Sequence, residues 1–343
     1  MNEVLQASAR RLAEARQRGD ADDTAELLAV HANDLLRNGW IADARMELDE
    51  AAAIHRARGR GYDEARCTQF AATLCRFEGR LDEAKSRCAR ALALCESTGP
   101  MAVSAYAELG EIALAQGNYL DAAEAYGAAL DAGDATALVD TARAAILRKR
   151  AVVLTAASRY QDAIRDLETA HDLLMRAGDR AGAIRTLIEE ATAFRHAGLV
   201  ADAERIVSRA MGPAKQDGDH AALADLHLLL TAQALDRRDA AAAMRWAQTA
   251  RAEALAARAP TSYIGAAHAI AQLAESAGDR LGAYEALATG WVTLGDLLGN
   301  GLARMSFEPK LKEMREGWGA EAFDEVKKSY EARRRREGSD RRK

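Results

Sequence analysis

Apolar and polar positions alternate along almost the whole chain with the period of an amphipathic helix, in segments of about 15–18 residues separated by short polar breaks. Within this pattern, small residues stand at fixed intervals. Ala44, Ala84, Ala122, Ala163, Ala203, Ala243 and Ala283 follow one another at steps of 40, 38, 41, 40, 40 and 40. Seven positions after each comes another small residue: Ala51, Ala91, Ala129, Ala170, Ala210, Ala250 and Gly290. Twelve positions before come Ala32, Ala72, Gly110, Ala151, Ala191, Thr231 and Ala271. Five before come Gly39, Gly79, Gly117, Ser158, Gly198, Arg238 and Gly278. Seven units of about forty residues are predicted, each a pair of helices joined by a tight turn. Small residues are expected where two helix backbones approach closely. Glycine is expected where the first helix must end in a left-handed residue.

The heptad AGDRAGA at 177–183 and its near-copy AGDRLGA at 277–283 fit the same scheme. One falls between units and the other inside a unit, so a site used twice would sit in opposite phases. Shared turn chemistry explains both: glycine closes one helix and aspartate caps the next. The same Gly-Asp pair at 19–20, 133–134 and 218–219 is expected to do likewise.

Composition narrows the class. Of 343 residues, 49% are hydrophobic and only 5% aromatic, with four prolines, which predicts an all-α protein rich in alanine. That length exceeds the roughly 250–300 residues at which a single core stops growing, as a repeat array requires. A net charge of −5 argues against a general nucleic-acid binder. No apolar run is long enough for membrane insertion and no leader pattern opens the chain, so a cytoplasmic protein is expected.

The stretch LGEIALAQGNYLDAAEAYGAAL (109–130) carries Gly110, Gly117, Tyr119, Ala122, Tyr126 and Ala129 at a spacing that resembles the tetratricopeptide repeat (TPR). The resemblance covers residues 21–298, in a long-unit variety of about 40 residues instead of 34 that lacks the family's proline. It implies an all-α fold: a right-handed TPR-like α-solenoid of about seven helical hairpins with terminal capping helices. Residues 1–20 are expected to form an N-terminal capping helix, with Val4, Leu5, Leu12 and Ala15 on its apolar side. Residues 299–337 are expected to form C-terminal capping helices, around 302–316 and 320–336. The apolar stripe of Leu281, Tyr284, Leu287, Trp291, Leu294 and Leu298 should meet that cap, along with Leu311, Met314, Trp318, Phe323, Val326 and Tyr330. Residues 338–343 are expected to be a basic disordered tail.

Candidate chemistry is sparse. Cys67, Cys75, Cys88 and Cys95 are spaced by eight, thirteen and seven residues, unlike the close pairs of a zinc site, and are read as packing residues. In DGDH (217–220), Asp219 is read as a helix cap. His31, His55, His171, His196 and His268 are scattered without evident partners. No phosphate loop, dinucleotide fingerprint, HExxH or GxSxG element is present. No catalytic residue, metal or cofactor is expected.

The resemblance implies that positions 2, 5, 9, 12 and 13 of each unit line a concave groove formed by the first helices. In the first two units these include Asn33, Arg37, Arg66, Gln69, Thr73 and Arg76. Farther along they include Arg148, Arg185, Thr192, Arg195 and Gln272. Guanidinium groups there suit carboxylates. The family's Lys/Asn carboxylate clamp is not assigned, because only Asn33 falls on such a position and Ala29 replaces its lysine. The expected function is that of a scaffold or adaptor that is not an enzyme, holding a peptide or helix of another protein. The alternatives are a peptide- or ligand-sensing regulator acting through a separate effector and, remotely, an enzyme. The basic tail is a candidate contact for an acidic partner.

Overall fold

The computed structural model describes residues 3–95, 99–134 and 138–340, and among these it is built from seventeen α-helices and no strand. A single helix, α1 (Glu3–Arg18), precedes seven hairpins. These are α2 (Ala21–Arg37) with α3 (Ile41–Ala57), α4 (Gly61–Phe77) with α5 (Leu81–Leu94), α6 (Gly99–Ala115) with α7 (Tyr119–Asp134), and α8 (Asp140–Ala156) with α9 (Tyr160–Arg176). Then come α10 (Arg180–His196) with α11 (Val200–Asp217), α12 (His220–Asp236) with α13 (Ala240–Ala256), and α14 (Pro260–Ser276) with α15 (Arg280–Leu298). Two more helices, α16 (Asn300–Trp318) and α17 (Ala320–Asp340), close the order. The chain divides into two compact units, Met1–Ala183 and Ile184–Lys343.

The columns of small residues do what their size allows. The seven anchor alanines, from Ala44 to Ala283, are wholly inaccessible to solvent, and so are the six alanines seven positions later. A longer side chain there would hold the paired helices apart. The seven turn positions all adopt left-handed backbone, with φ between 60° and 81°, including Ser158 and Arg238. In every case the amide after that residue donates to a carbonyl five residues back, as in Trp40 N to Leu35 O, Arg159 N to Leu154 O and Asp239 N to Ala234 O. This closure satisfies a carbonyl the ending helix would otherwise orphan, and it forms whether or not the residue is glycine.

Aspartate caps the next helix at Asp20, Asp179, Asp219 and Asp279, where it accepts backbone amides such as Gly182 N, Ala222 N and Gly282 N. Asp239 caps α13 in the same way after Arg238. The Gly133–Asp134 pair does not. It forms the end of α7, where Gly133 is buried so close to Leu138 that a Cβ would meet that side chain at 3.0 Å, and Asp134 pairs with Arg143 instead.

In the first unit α1 buries Ser8 and places Leu5, Leu12 and Ala15 in one cluster with Leu28, Leu35 and Leu48. Val4 faces outward at 55% exposure, one residue too early for that stripe. In the second unit Leu287, Leu294, Phe307, Met314, Phe323 and Tyr330 form one cluster, into which Leu311, Trp318 and Val326 pack from the side. Leu298, expected in this stripe, is 53% exposed because it ends the last turn of the long helix α15. Residues 338–340 of the expected tail continue α17, and 341–343 lie outside the described residues. No helix among the described residues is long and apolar enough to cross a membrane.

Candidate binding face

On α2, Val30, Asn33 and Arg37 fall within one narrow arc at spacings of three and four, and all three are exposed. On α4 the equivalent arc carries Tyr62, Arg66, Gln69, Thr73 and Phe77. Tyr62 and Phe77 are 58% and 57% exposed, far more than large aromatic side chains usually are. Gln69 is half-buried, and among the described residues Arg66 pairs only with Asp63 of its own helix, at 3.5 Å.

The next predicted residues are committed to holding helices together. Arg76 donates from Nε to Glu108 Oε1 of α6 at 2.6 Å, and Thr73 Oγ1 donates to the other oxygen at 3.0 Å. Burial opposes the Arg76 charge, but the hydrogen bond and charge of Glu108 outweigh it and hold the guanidinium above its ordinary value. The same guanidinium lies over the Phe77 ring, 4.7 Å from its centroid. One step on, Glu111 accepts from Lys149 of α8 at 2.6 Å and from the Tyr126 hydroxyl at 2.8 Å. Burial pushes Glu111 up, but these two donors more than compensate and leave it below the usual carboxylate range. Arg148 is half-buried on α8 and has partners of its own.

In the second unit Arg195 reaches Asp236 of α12 at 3.5 Å. Thr192 turns its hydroxyl back to Ile188 O at 2.8 Å. Arg185 is exposed but already engaged. Gln272 is exposed on α14. Its neighbours on that face are tied to the C-terminal helices: His268 Nε2 to Ser306 O at 3.0 Å, and Glu275 to the Trp318 indole at 2.7 Å.

The predicted set therefore separates. Asn33, Arg37, Arg66 and Gln69 have side chains open to a ligand, and Gln272 stands open on a separate unit. Thr73, Arg76, Thr192 and Arg195 are held within the protein. Glu108, which sequence reasoning passed over, decides much of this. Its repeat column holds Val30, Phe70, Lys149, Glu189, Leu229 and Ala269 in the other units, a mixture that gave no signal of its role. Two of the histidines also find partners that sequence alone did not show: His31 lies 2.7 Å from Glu47, and His171 lies 3.3 Å from Ala183 O. His220, in the DGDH stretch, meets Glu253 at 2.6 Å.

The cysteines behave as packing groups. Cys67, Cys75 and Cys88 are buried, and burial raises all three thiols, Cys88 to about 12. Among the described residues no group of three His, Cys, Asp or Glu side chains is arranged to hold a metal. The basic run of α17 is partly neutralised, with Arg333 on Glu285 at 3.1 Å and Arg335 on Glu331 at 3.7 Å.

No family model matches the chain, and no curated protein matches it. Solved structures do. The apo form of RapI aligns with a TM-score of 0.60 at 11% identity, over 83% of this chain and 99% of that one. BtubC (BKLC) from P. vanneervenii aligns at 0.56 with 18% identity, over 64% and 93% of the two chains. The fold is a TPR-like α-solenoid. A signal-transduction ATPase with numerous domains from Pyrococcus horikoshii, which carries a tetratricopeptide repeat sensor, aligns at 0.64 with 13% identity. That match covers 83% of this chain and 44% of the other. At such identities the likeness is one of fold and carries no function with it.

Proposed function

We propose that the chain is a non-enzymatic adaptor that holds a peptide segment or helix of another protein against the face of its first helices, centred on α2 and α4. The observation that supports this is the exposed Val30, Asn33 and Arg37 of α2 together with the exposed Tyr62 and Phe77 and half-buried Gln69 of α4. Aromatic side chains supply apolar contact area at low entropic cost, as at interface hot spots. Primary amides both donate to and accept from a peptide backbone. Guanidinium groups bind carboxylates. An enzyme would need a matched acid, base or nucleophile, whereas the carboxylates Glu108 and Glu111 beside this face are engaged in ion pairs between helices.

Affinity capture from native lysate with the wild-type chain and with an Asn33→Ala, Arg37→Glu, Gln69→Ala triple variant tests the assignment. All three positions are open, so the variant should retain its helical circular dichroism while losing its bound proteins. An unchanged set of partners on a folded variant would place the binding surface elsewhere.

A further inference from the structure

The helix α15 has 19 residues where α13 and α14 have 17. Two extra residues add about 3 Å at 1.5 Å per residue. The last turn of α15 thus stands beside the α13–α14 turn instead of folding away. A cavity of about 140 Å³ opens between them. Its floor is Tyr263 and Leu294, 4% and 1% exposed, and its rim is Leu255, Leu297 and Leu298, each more than 40% exposed. Three leucines exposed around one hole are costly to leave in water.

Arg258 is the one charged residue lining this cavity, and among the described residues it has no ion-pair partner. It also sits in left-handed backbone at φ 51°, where the equivalent turns between hairpins carry Gly59, Gly178 and Gly218. A long side chain is strained in that conformation. The chain therefore tolerates local strain at a position that puts a free cation on the edge of an apolar hole. None of the residues placed on the binding face above lines it.

We propose that this cavity is a docking site for a segment of a partner protein that inserts one leucine- or phenylalanine-sized side chain and sets a nearby carboxylate on Arg258. Size and charge both favour that occupant. A dry apolar cavity of about 150 Å³ accommodates a benzene-sized group, whereas pockets for larger small molecules run to roughly 300–1,000 Å³. A single side chain fills it, the leucine rim extends the contact along the segment, and the unpaired guanidinium selects an acidic neighbour.

Selection of a random twelve-residue peptide display library against the full chain tests this. Enriched peptides should carry Leu, Phe or Met within two positions of Asp or Glu. Binding of a synthesised winner should be lost in Leu298→Glu, which changes only an exposed residue. In Arg258→Gly it should weaken roughly tenfold while the melting temperature rises by about 2 °C, because relief of backbone strain and loss of the charge act in opposite directions. Selection against Arg258→Glu should exchange the acidic preference for a basic one. Enrichment without an acidic residue, or winners indifferent to both sites, would overturn the proposal. N-acetyl-leucine competing as strongly as the peptide would make the occupant a small acid. Dimerisation abolished by Leu298→Glu would make it a second copy of the chain. Either result also overturns it. The triple variant of the α2–α4 face should bind these peptides normally, which separates this site from the adaptor face.

Discussion

Gly110→Ala should destabilise the protein, although alanine is the better helix former. Gly110 lies inside α6, where the exchange would by itself gain about 1 kcal/mol. A Cβ there would stand 2.7 Å from Tyr126 Cε1, 2.8 Å from Cζ and 2.9 Å from Cδ1, closer than carbon atoms pack. The ring has nowhere to go. Tyr126 is wholly buried, and its hydroxyl is fixed on Glu111, which Lys149 also holds. Overpacking of this kind costs about 1–3 kcal/mol, and pulling the hydroxyl from a charged acceptor costs about 1.5–3 kcal/mol more. The expected net loss is about 2 kcal/mol.

The repeat shows how the pair was set. Positions sixteen apart in each hairpin hold Ala32 with Leu48, Ala72 with Cys88, Ala151 with Leu167, Ala191 with Val207, Thr231 with Ala247, and Ala271 with Leu287. Where one partner is large the other is small, and Gly110 with Tyr126 is the extreme. Adding Tyr126→Leu to Gly110→Ala recreates the Ala–Leu pair of three other hairpins and should recover most of the loss, as a double-mutant cycle would measure. Repeat arrays open locally, so hydrogen exchange across 99–134 is the assay. Protection there should fall about thirtyfold in the single variant and return in the double. An alanine variant as protected as the wild type, or a double variant no better than the single, would refute the packing argument.

Three further outcomes follow from the same contacts. Glu108→Ala leaves Arg76 and Thr73 without their shared acceptor and should cost about 2 kcal/mol, read as a lower denaturation midpoint. Thiol labelling of the native chain should reach half-buried Cys95 first, with Cys67, Cys75 and Cys88 reacting only on unfolding, since burial keeps them protonated. Burial also holds His227, stacked on Trp246 at 5.5 Å, and His268 below the ordinary histidine range. The unfolded chain then binds protons more readily, so the stability these rings confer is complete above about pH 6.5 and is lost as pH falls through their lowered values. Melting temperatures between pH 7.5 and 5 should show it, with a shallower slope in His227→Phe.

The fold was legible because its repeating columns are set by steric need at single positions. An alanine between two backbones, or a left-handed residue at a turn, leaves a trace wherever it recurs. Gly133–Asp134 was misread because the dipeptide alone does not distinguish a cap from a helical glycine pressed on Leu138. Partners were far less legible. His31 meets Glu47 across a hairpin, and Arg76 meets Glu108 in the next one, at separations of 16 and 32 residues that no local pattern encodes. Register could name the arginines on a face. It could not say which were already taken, since that depends on what the neighbouring unit carries at one column.

The turns make this distinction testable. Ser158, Arg238 and Arg258 share the left-handed backbone that glycine adopts elsewhere, and each is followed by the same closing hydrogen bond. The strain is therefore alike at all three, and replacement by glycine should stabilise each by about 0.5–1 kcal/mol, less the added freedom of the unfolded chain. Their surroundings differ, because Arg258 lines the apolar cavity beside α15 and neither Ser158 nor Arg238 does. Arg238 and Ser158 serve as controls in which the backbone is relieved and no ligand contact is removed. Equal gains in melting temperature for the three glycine variants, with peptide binding weakened only at position 258, would separate the conformational role of that turn from its charge. A loss of binding in all three would mean that strain at the turns, and not the guanidinium, shapes the site.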